Sequence, residues 1–280
     1  VRAAALALLL ATAVLAEETH AARGILLTRD EAHHLLVVSC DAIPGYMDAM
    51  EMEFHVGSKL PGVKRGDAIE FRMVTSGGKL WAEDVRMGTT ANFEAEPMAA
   101  GQLTAMDRLM RPVKVLAVGD VVPDFALSDQ TGKMVRLSEM RGKVVALTFG
   151  YSRCPNPNYC FRLSHNLQKV RDRMGGSDFE MVTIMIDPEH DQGAALRQYA
   201  EVFGADAANW HFLTGPVKEI REIAARFGMN FWSEDGLITH SLHTVLIDRH
   251  GRMAVNLEGN GFTAGQLGDL VRTVLLPGAE

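Results

Sequence analysis

Apolar and polar positions follow two different rhythms along this chain. Up to residue 88 the apolar runs are short. Residues 24–29 and 33–39 are strand-like and are separated by Asp30-Glu31. Residues 50–56 alternate, with Met50, Met52 and Phe54 on one face and Glu51, Glu53 and His55 on the other. That is the period of a half-buried strand. Residues 67–75 and 79–87 flank Ser76-Gly77-Gly78, which predicts a hairpin turn. Five short strands within 22–88 predict a small all-β barrel, OB-like in kind. Residues 89–116 are polar and rich in Ala and Met, with Pro97 and Pro112, and read as a linker with a helical piece at 102–110. From residue 117 to 278 the pattern becomes α/β. Residues 144–149 are a continuous apolar run but for Thr148, as a buried parallel strand requires, and 179–186 read as a second buried strand ended by Asp187-Pro188. Residues 160–174, 192–203, 217–227 and 263–275 carry helical periodicity, and 241–248 with 253–257 predict a hairpin around His250-Gly251.

The first sixteen residues stand apart. Arg2 is followed by an uncharged apolar run to Ala16, with small residues Val14 and Ala16 just before Glu17-Glu18. These are the parts of a secretory signal peptide, and the run is shorter than the roughly 20 residues that span a bilayer. Export to the periplasm or the outer face of the cytoplasmic membrane is expected. Membrane contact is then limited to that segment, should it stay uncleaved. The 280 residues carry a net charge of −7 with 47% hydrophobic and 22% charged residues. That composition belongs to ordinary globular domains and offers no basic face for nucleic acid.

Only three cysteines occur, at 40, 154 and 160, and in an oxidising compartment each calls for a reason. The loop Tyr151-Ser152-Arg153-Cys154-Pro155-Asn156-Pro157-Asn158-Tyr159-Cys160 lies between a predicted buried strand and a predicted helix. Cys160 is expected near a helix N-terminus, where free amides favour a thiolate. Two thiolates on one stiff loop can exchange with a disulfide or hold a soft metal ion.

The order strand, cysteine loop, helix, strand, helix, hairpin, helix is the thioredoxin-like arrangement. In that layout the segment before residues 241–248 faces the cysteine loop. It carries His240, with His243 three positions later, and has no Pro between Pro216 and Pro277 to bind a substrate peptide. Val122-Pro123-Asp124-Phe125, Gly142-Lys143-Val144-Val145, the Cys-Pro…Cys loop, Ile186-Asp187-Pro188-Glu189-His190-Asp191 and His240-Ser241 before Leu246-Ile247-Asp248 resemble the Sco/SenC family over residues 117–278. The resemblance implies a thioredoxin-fold copper chaperone that binds Cu(I) or Cu(II) through Cys154, Cys160 and His240. It also implies a partner: the copper A-containing subunit of cytochrome c oxidase or another copper acceptor. Five residues separate the cysteines here, where the common family loop has three. That spacing keeps a second reading open, a thiol-disulfide oxidoreductase in which Cys154 and Cys160 are a redox dithiol. Asp187 and Asp191 read as loop and helix-cap residues.

The barrel carries its own soft donors. Cys40 is followed by Met47, Met50 and Met52, and thioether sulfurs beside a thiol select Cu(I) over harder ions. Ile43-Pro44, Ala49-Met50-Glu51-Met52-Glu53-Phe54 and Lys79-Leu80-Trp81 resemble the small CusF-type copper-binding barrel over residues 24–87. The resemblance places Met50 and Met52 at two ligand positions, Cys40 where that family has a His, and Met47 where it has a Trp. His33 and His34 lie on an alternating stretch and read as surface residues. The whole is expected to be an exported two-domain copper chaperone, with the barrel capturing Cu(I) and a flexible linker bringing it to the cysteine loop.

Overall fold

The computed structural model describes residues 18–57, 62–88, 114–176, 178–205, 208–234 and 236–276. The expected signal segment, the helical piece at 102–110 and nearly all of the expected linker lie outside them.

Five strands close into a barrel: β1 (Glu18–Asp30), β2 (Leu35–Cys40), β3 (Met50–His55), β4 (Ala68–Ser76) and β5 (Lys79–Met87), in the order β1-β2-β3-β5-β4. Closure rests on β1. Its first half pairs with β4 and its second half with β2, with a bulge between Leu26 and Thr28. A bulge bends and twists a strand in the way closure needs. Gly24 sits where β1 crosses β2, and a Cβ there would lie 2.4 Å from Ser39 O. The β4–β5 turn is Gly77-Gly78, both with positive φ, as a two-residue hairpin requires. Leu26, Leu36, Val38, Phe54, Ile69 and Met73 fill the interior.

The second domain is built on a sheet in the order β10-β9-β8-β13-β14. Its strands are β8 (Val144–Gly150), β9 (Phe179–Met185), β10 (Trp210–Leu213), β13 (His243–Ile247) and β14 (Met253–Glu258). β8, β9 and β10 are parallel, while β13 runs antiparallel to β8. Every residue of β8 and β9 is buried, the polar Thr148, Glu180 and Thr183 included, with Glu180 paired to Lys143. Helices α1 (Arg162–Met174), α2 (Gly193–Val202) and α4 (Ala264–Leu275) pack on one face, and α3 (Val217–Arg226) packs on the other. This is the thioredoxin-like order expected from the sequence.

Three elements escape the apolar pattern. They are β10, the small hairpin of β6 (Ala126–Ser128) with β7 (Met134–Arg136), and the hairpin of β11 (Phe231–Glu234) with β12 (Leu237–His240). Each strand is only three or four residues long, too short for a period to show. Among the described residues no helix is long and apolar enough to cross a membrane.

The barrel does not hang on a tether alone. Ile25 and Leu27 of β1 enter the same apolar cluster as Leu257, Leu267, Leu270 and Val271. At the edge of that contact the Ser39 hydroxyl donates to Asp269 Oδ2 at 2.7 Å, and Arg173 donates to Asp269 Oδ1 at 2.7 Å. Gln266 Nε2 donates to Asp41 Oδ1 at 2.8 Å and to Ser39 O at 3.3 Å. Arg272 pairs with Glu51. The two domains are therefore packed through α4, in place of the freely tethered pair the linker suggests. Asp269→Ala would strand the Ser39 hydroxyl and the Arg173 charge. It is expected to cost about 1–3 kcal/mol of unfolding free energy, read by denaturant titration. An unchanged midpoint would show that apolar packing alone holds the interface.

Candidate metal and thiol centre

The sheet itself creates the site. β8 ends at Gly150 and delivers the cysteine loop, while β13 starts at His243, just after β12 has placed His240. Antiparallel neighbours put the end of one beside the start of the other. The pairing Thr244↔Thr148 sets the register, and the Thr148 hydroxyl donates to His243 O at 2.9 Å. On this frame Cys160 Sγ lies 3.5 Å from His240 Nε2.

His240 is oriented for this contact. Its Nδ1 stands 2.8 Å from Ser241 O. A carbonyl can only accept, so Nδ1 carries the proton and Nε2 presents either a lone pair or, in the charged ring, a second proton. The Tyr151 ring packs edge-on against the imidazole at 5.7 Å between centroids. β12 is held through its partner β11, with Phe231 opposite His240, and the Arg221 guanidinium lies 5.2 Å over the Phe231 ring.

The two thiols are unequal. Cys154 is half-buried and Cys160 is buried. The neighbouring Cys160 stabilises charge on Cys154 and, against the cost of burial, the His240 ring adds to it, so Cys154 ionises at about 4. Cys160 goes the other way, because the Cys154 sulfur beside it and its own burial both hold its proton on. This corrects the expectation that Cys160 is the helix-activated thiolate. Cys160 lies inside a single π-helical turn, Pro157–Phe161, that precedes α1, and Tyr159 within that turn is not helical at φ −103° and ψ −105°. The free amides of the α-helix proper begin after it.

Asp187 and Asp191, read from sequence as loop and cap residues, anchor the approach to Cys154. Both Asp191 oxygens take the Ser152 amide at 3.1–3.3 Å, and the Ser152 hydroxyl donates to the same carboxyl. Asp187 accepts from Arg153 at 2.7 Å, while its other oxygen meets His190 Nδ1 at 2.9 Å. Burial opposes its charge, yet those partners hold the Asp187 carboxyl below its ordinary range, whereas desolvation lifts Asp191 above it. Both neighbours of Cys154 on its N-terminal side are thus clamped. A buried carboxylate shortly after the second core strand, in the run Asp187-Pro188-Glu189-His190-Asp191, is the sequence signal for this role.

Of the residues the resemblance implies, Cys160 meets His240 and Cys154 lies on the same loop, while His243 is turned away and held by Asn256 Oδ1 at 2.9 Å. Two donors about 2.3 and 2.0–2.1 Å from one tetrahedral ion stand about 3.5 Å apart, so the Cys160–His240 spacing fits a shared ion. Cys154 Sγ lies beside Cys160 and His240 and also 3.6 Å from Asn156 O. Among the described residues no group of three His, Cys, Asp or Glu side chains stands ready-made around an ion, so the three must draw closer to share one.

In the barrel, Cys40 pairs across the strands with Met50, and Met52 lies two residues on from Met50, opposite Val38. Met50 is 52% exposed and Cys40 only 2%. Met47, in the turn closed by the Ile43↔Met47 bridge, and Met52 pack as half-buried residues against the barrel core. Desolvation, with Asp41 adding to it, pushes the Cys40 thiol up to about 12. His33 and His34 are exposed as expected but form part of the β1–β2 turn, not of the strand their alternation suggested, and His33 is occupied with Asp30 at 2.8 Å.

The SCO1/SenC family model matches residues 115–274. Protein sco1 of Schizosaccharomyces pombe is 27% identical over 153 residues, covering 51% of this chain and 56% of that protein. The chain thus spans little more than half the length of that relative. The structure of a SCO1/SenC family lipoprotein from Bacillus anthracis aligns with a TM-score of 0.50 at 24% identity, covering 56% of this chain and 94% of that one. At that identity the likeness is one of fold. ScoI of Arabidopsis thaliana, solved with copper bound, aligns with a TM-score of 0.47 at 26% identity, over 55% of this chain and 98% of its own. With the family match running over more than half of its residues, from just before the first small hairpin into the last helix, this chain belongs to the SCO1/SenC family.

Proposed function

We propose that this chain is an exported copper chaperone in which Cys154, Cys160 and His240 take Cu(I) or Cu(II) as cargo. The observation that carries the reading is the 3.5 Å approach of Cys160 Sγ to His240 Nε2, with the imidazole fixed by Ser241 O and a second thiol on the same loop. Two thiolates and an imidazole form a donor set that suits soft ions. The family resemblance adds the destination: a copper A-containing oxidase subunit or another copper acceptor. The apolar segment 1–16 supports export to the periplasm or the outer membrane face.

The barrel is the second part of the reading. Its strand order suits an OB-like, CusF-like domain, and Cys40, Met47, Met50 and Met52 are proposed to capture Cu(I). Exposed Met50 gives the ion a first contact. Cys40 then joins only by giving up a firmly held proton, because a metal binds the thiolate. Capture at the barrel is therefore coupled to proton release.

A thiol-disulfide oxidoreductase is the second reading. A half-buried Cys154 in front of a buried Cys160 has the layout of an attacking and a resolving thiol. Insulin reduction by dithiothreitol separates the two, since a reductase must outpace its own Cys154→Ser variant.

Anaerobic Cu(I) titration of the reduced protein against a chromogenic chelator is expected to show two retained ions. His240→Ala or Cys154→Ser should remove one, and Met50→Leu with Met52→Leu the other. Retention of no ion overturns the copper reading.

The thiol asymmetry gives a second outcome. Cys154 ionises at about 4, against about 8.5 for a free cysteine, so its thiolate persists as pH falls through neutrality. Iodoacetamide modification of the reduced, metal-free protein should stay fast from pH 8 to about 5 and slow only below that. Cys160→Ser should move the midpoint upward. A midpoint near 8 in the parent would contradict the described contacts.

A further inference from the structure

Both ligand-bearing segments of the centre are gripped by one short turn, that between β14 and α4. The Gly259 amide donates to Leu242 O at 2.8 Å, two residues beyond His240. The next residue, Asn260, is only 1% exposed, and its Nδ2 donates to Asn158 O, two residues before Cys160. The turn is itself fixed. Asn166 of α1 reaches Phe262 O at 3.5 Å. Thr263 and Gln266 then cap α4 reciprocally, at 2.9 and 3.1 Å.

Sequence alone gives no reason to connect residue 260 with the cysteines. It lies 102 positions from Asn158, past the last predicted strand. In space its amide reaches the cysteine loop while the Gly259 amide beside it reaches the histidine segment. The loop Pro155–Cys160 is long and bends through a non-helical Tyr159. Its own hydrogen bonds, from the Asn158 amide to Asn156 Oδ1 at 3.0 Å and from the Tyr159 amide to Asn156 O at 3.1 Å, join it to itself, whereas the buried Asn260 donor on the Asn158 carbonyl joins it to the β14–α4 turn.

We propose that Asn260 is the positioning residue that sets Cys160 against His240, with the Gly259–Leu242 hydrogen bond as its counterpart on the histidine side. This rests on the copper reading only for its functional consequence; the positioning itself concerns the metal-free protein. Groups that orient metal ligands from one step away change metal affinity about 10–100-fold when removed. A loop freed at Asn158 leaves Cys160 and His240 in contact for only part of the time, and an ion must then order them.

The test uses the full protein in its reduced state. In the metal-free parent, the Cys160 β-protons should show nuclear Overhauser contacts to the His240 ring. In Asn260→Ala these contacts should weaken or vanish while the far-UV spectrum stays that of the parent. Cu(I) affinity by chelator competition should fall about tenfold or more. Asn166→Ala, which removes a long hydrogen bond of 3.5 Å to the same turn but none to the loop, should lower contact and affinity far less than Asn260→Ala. Should Asn260→Ala not fold, Asn260→Leu fills the same volume without a donor. Unchanged contacts in the Asn260 variant overturn the proposal, and so does an equal loss in Asn166→Ala. A parent that retains no Cu(I) refutes the copper reading instead, and the Overhauser comparison then decides the positioning by itself.

Discussion

The antiparallel register of β8 against β13, pinned by the Thr148 hydroxyl on the His243 carbonyl, is what the rest of the centre depends on. β8 must end where β13 begins for a loop leaving the one to meet a histidine entering the other. A slip of one residue would invert the facing of a fully buried strand, and buried faces forbid that. The site is therefore a by-product of core packing. Apolar side chains on both faces of β8 fix the strand, and the strand fixes where the sulfurs and the imidazole meet.

Around that frame the polar side chains divide the labour. Asp187 and Asp191 clamp Arg153 and Ser152 on the entry side of the loop, and Asn260 holds its exit. His240 is fixed through Nδ1, which leaves Nε2 for the sulfurs. The pair of thiols is polarised by contact, one bearing the charge and the other the proton. That arrangement suits exchange with either a metal or a disulfide, since both reactions begin from a thiolate. The fold supplies the asymmetry and the ligand chemistry supplies its use.

Much of this was legible in the residues. The mostly apolar runs at 144–149 and 179–186 marked the buried strands, and Gly77-Gly78 marked the barrel hairpin. The thioredoxin-like order of elements pointed the segment carrying His240 toward the loop of Cys154 and Cys160. What stayed hidden was hidden for physical reasons. The β11–β12 hairpin that carries His240 has four-residue strands, so only Asp235-Gly236 between apolar pairs could have betrayed it. The activation of Cys154 over Cys160 depends on contacts between the two sulfurs and the His240 ring, which no periodicity encodes. The docking of the barrel on α4 is made by single polar residues, Ser39 and Asp41 meeting Gln266 and Asp269, whose partners lie more than two hundred positions away.

That docking also shapes how the chain can vary. Ser39 and Asp269 stand 230 positions apart yet share one proton in a buried contact. Asp269 sits within the family-matched region, while Ser39 lies in the barrel before it. Loss of Asp269 leaves the buried Ser39 hydroxyl without its acceptor, whereas loss of Ser39 leaves Asp269 still held by Arg173 and Arg272. The dependence runs one way, from the barrel onto the helix. A barrel transplanted without a hydroxyl at that position would forgo one hydrogen bond but leave no bare carboxylate behind.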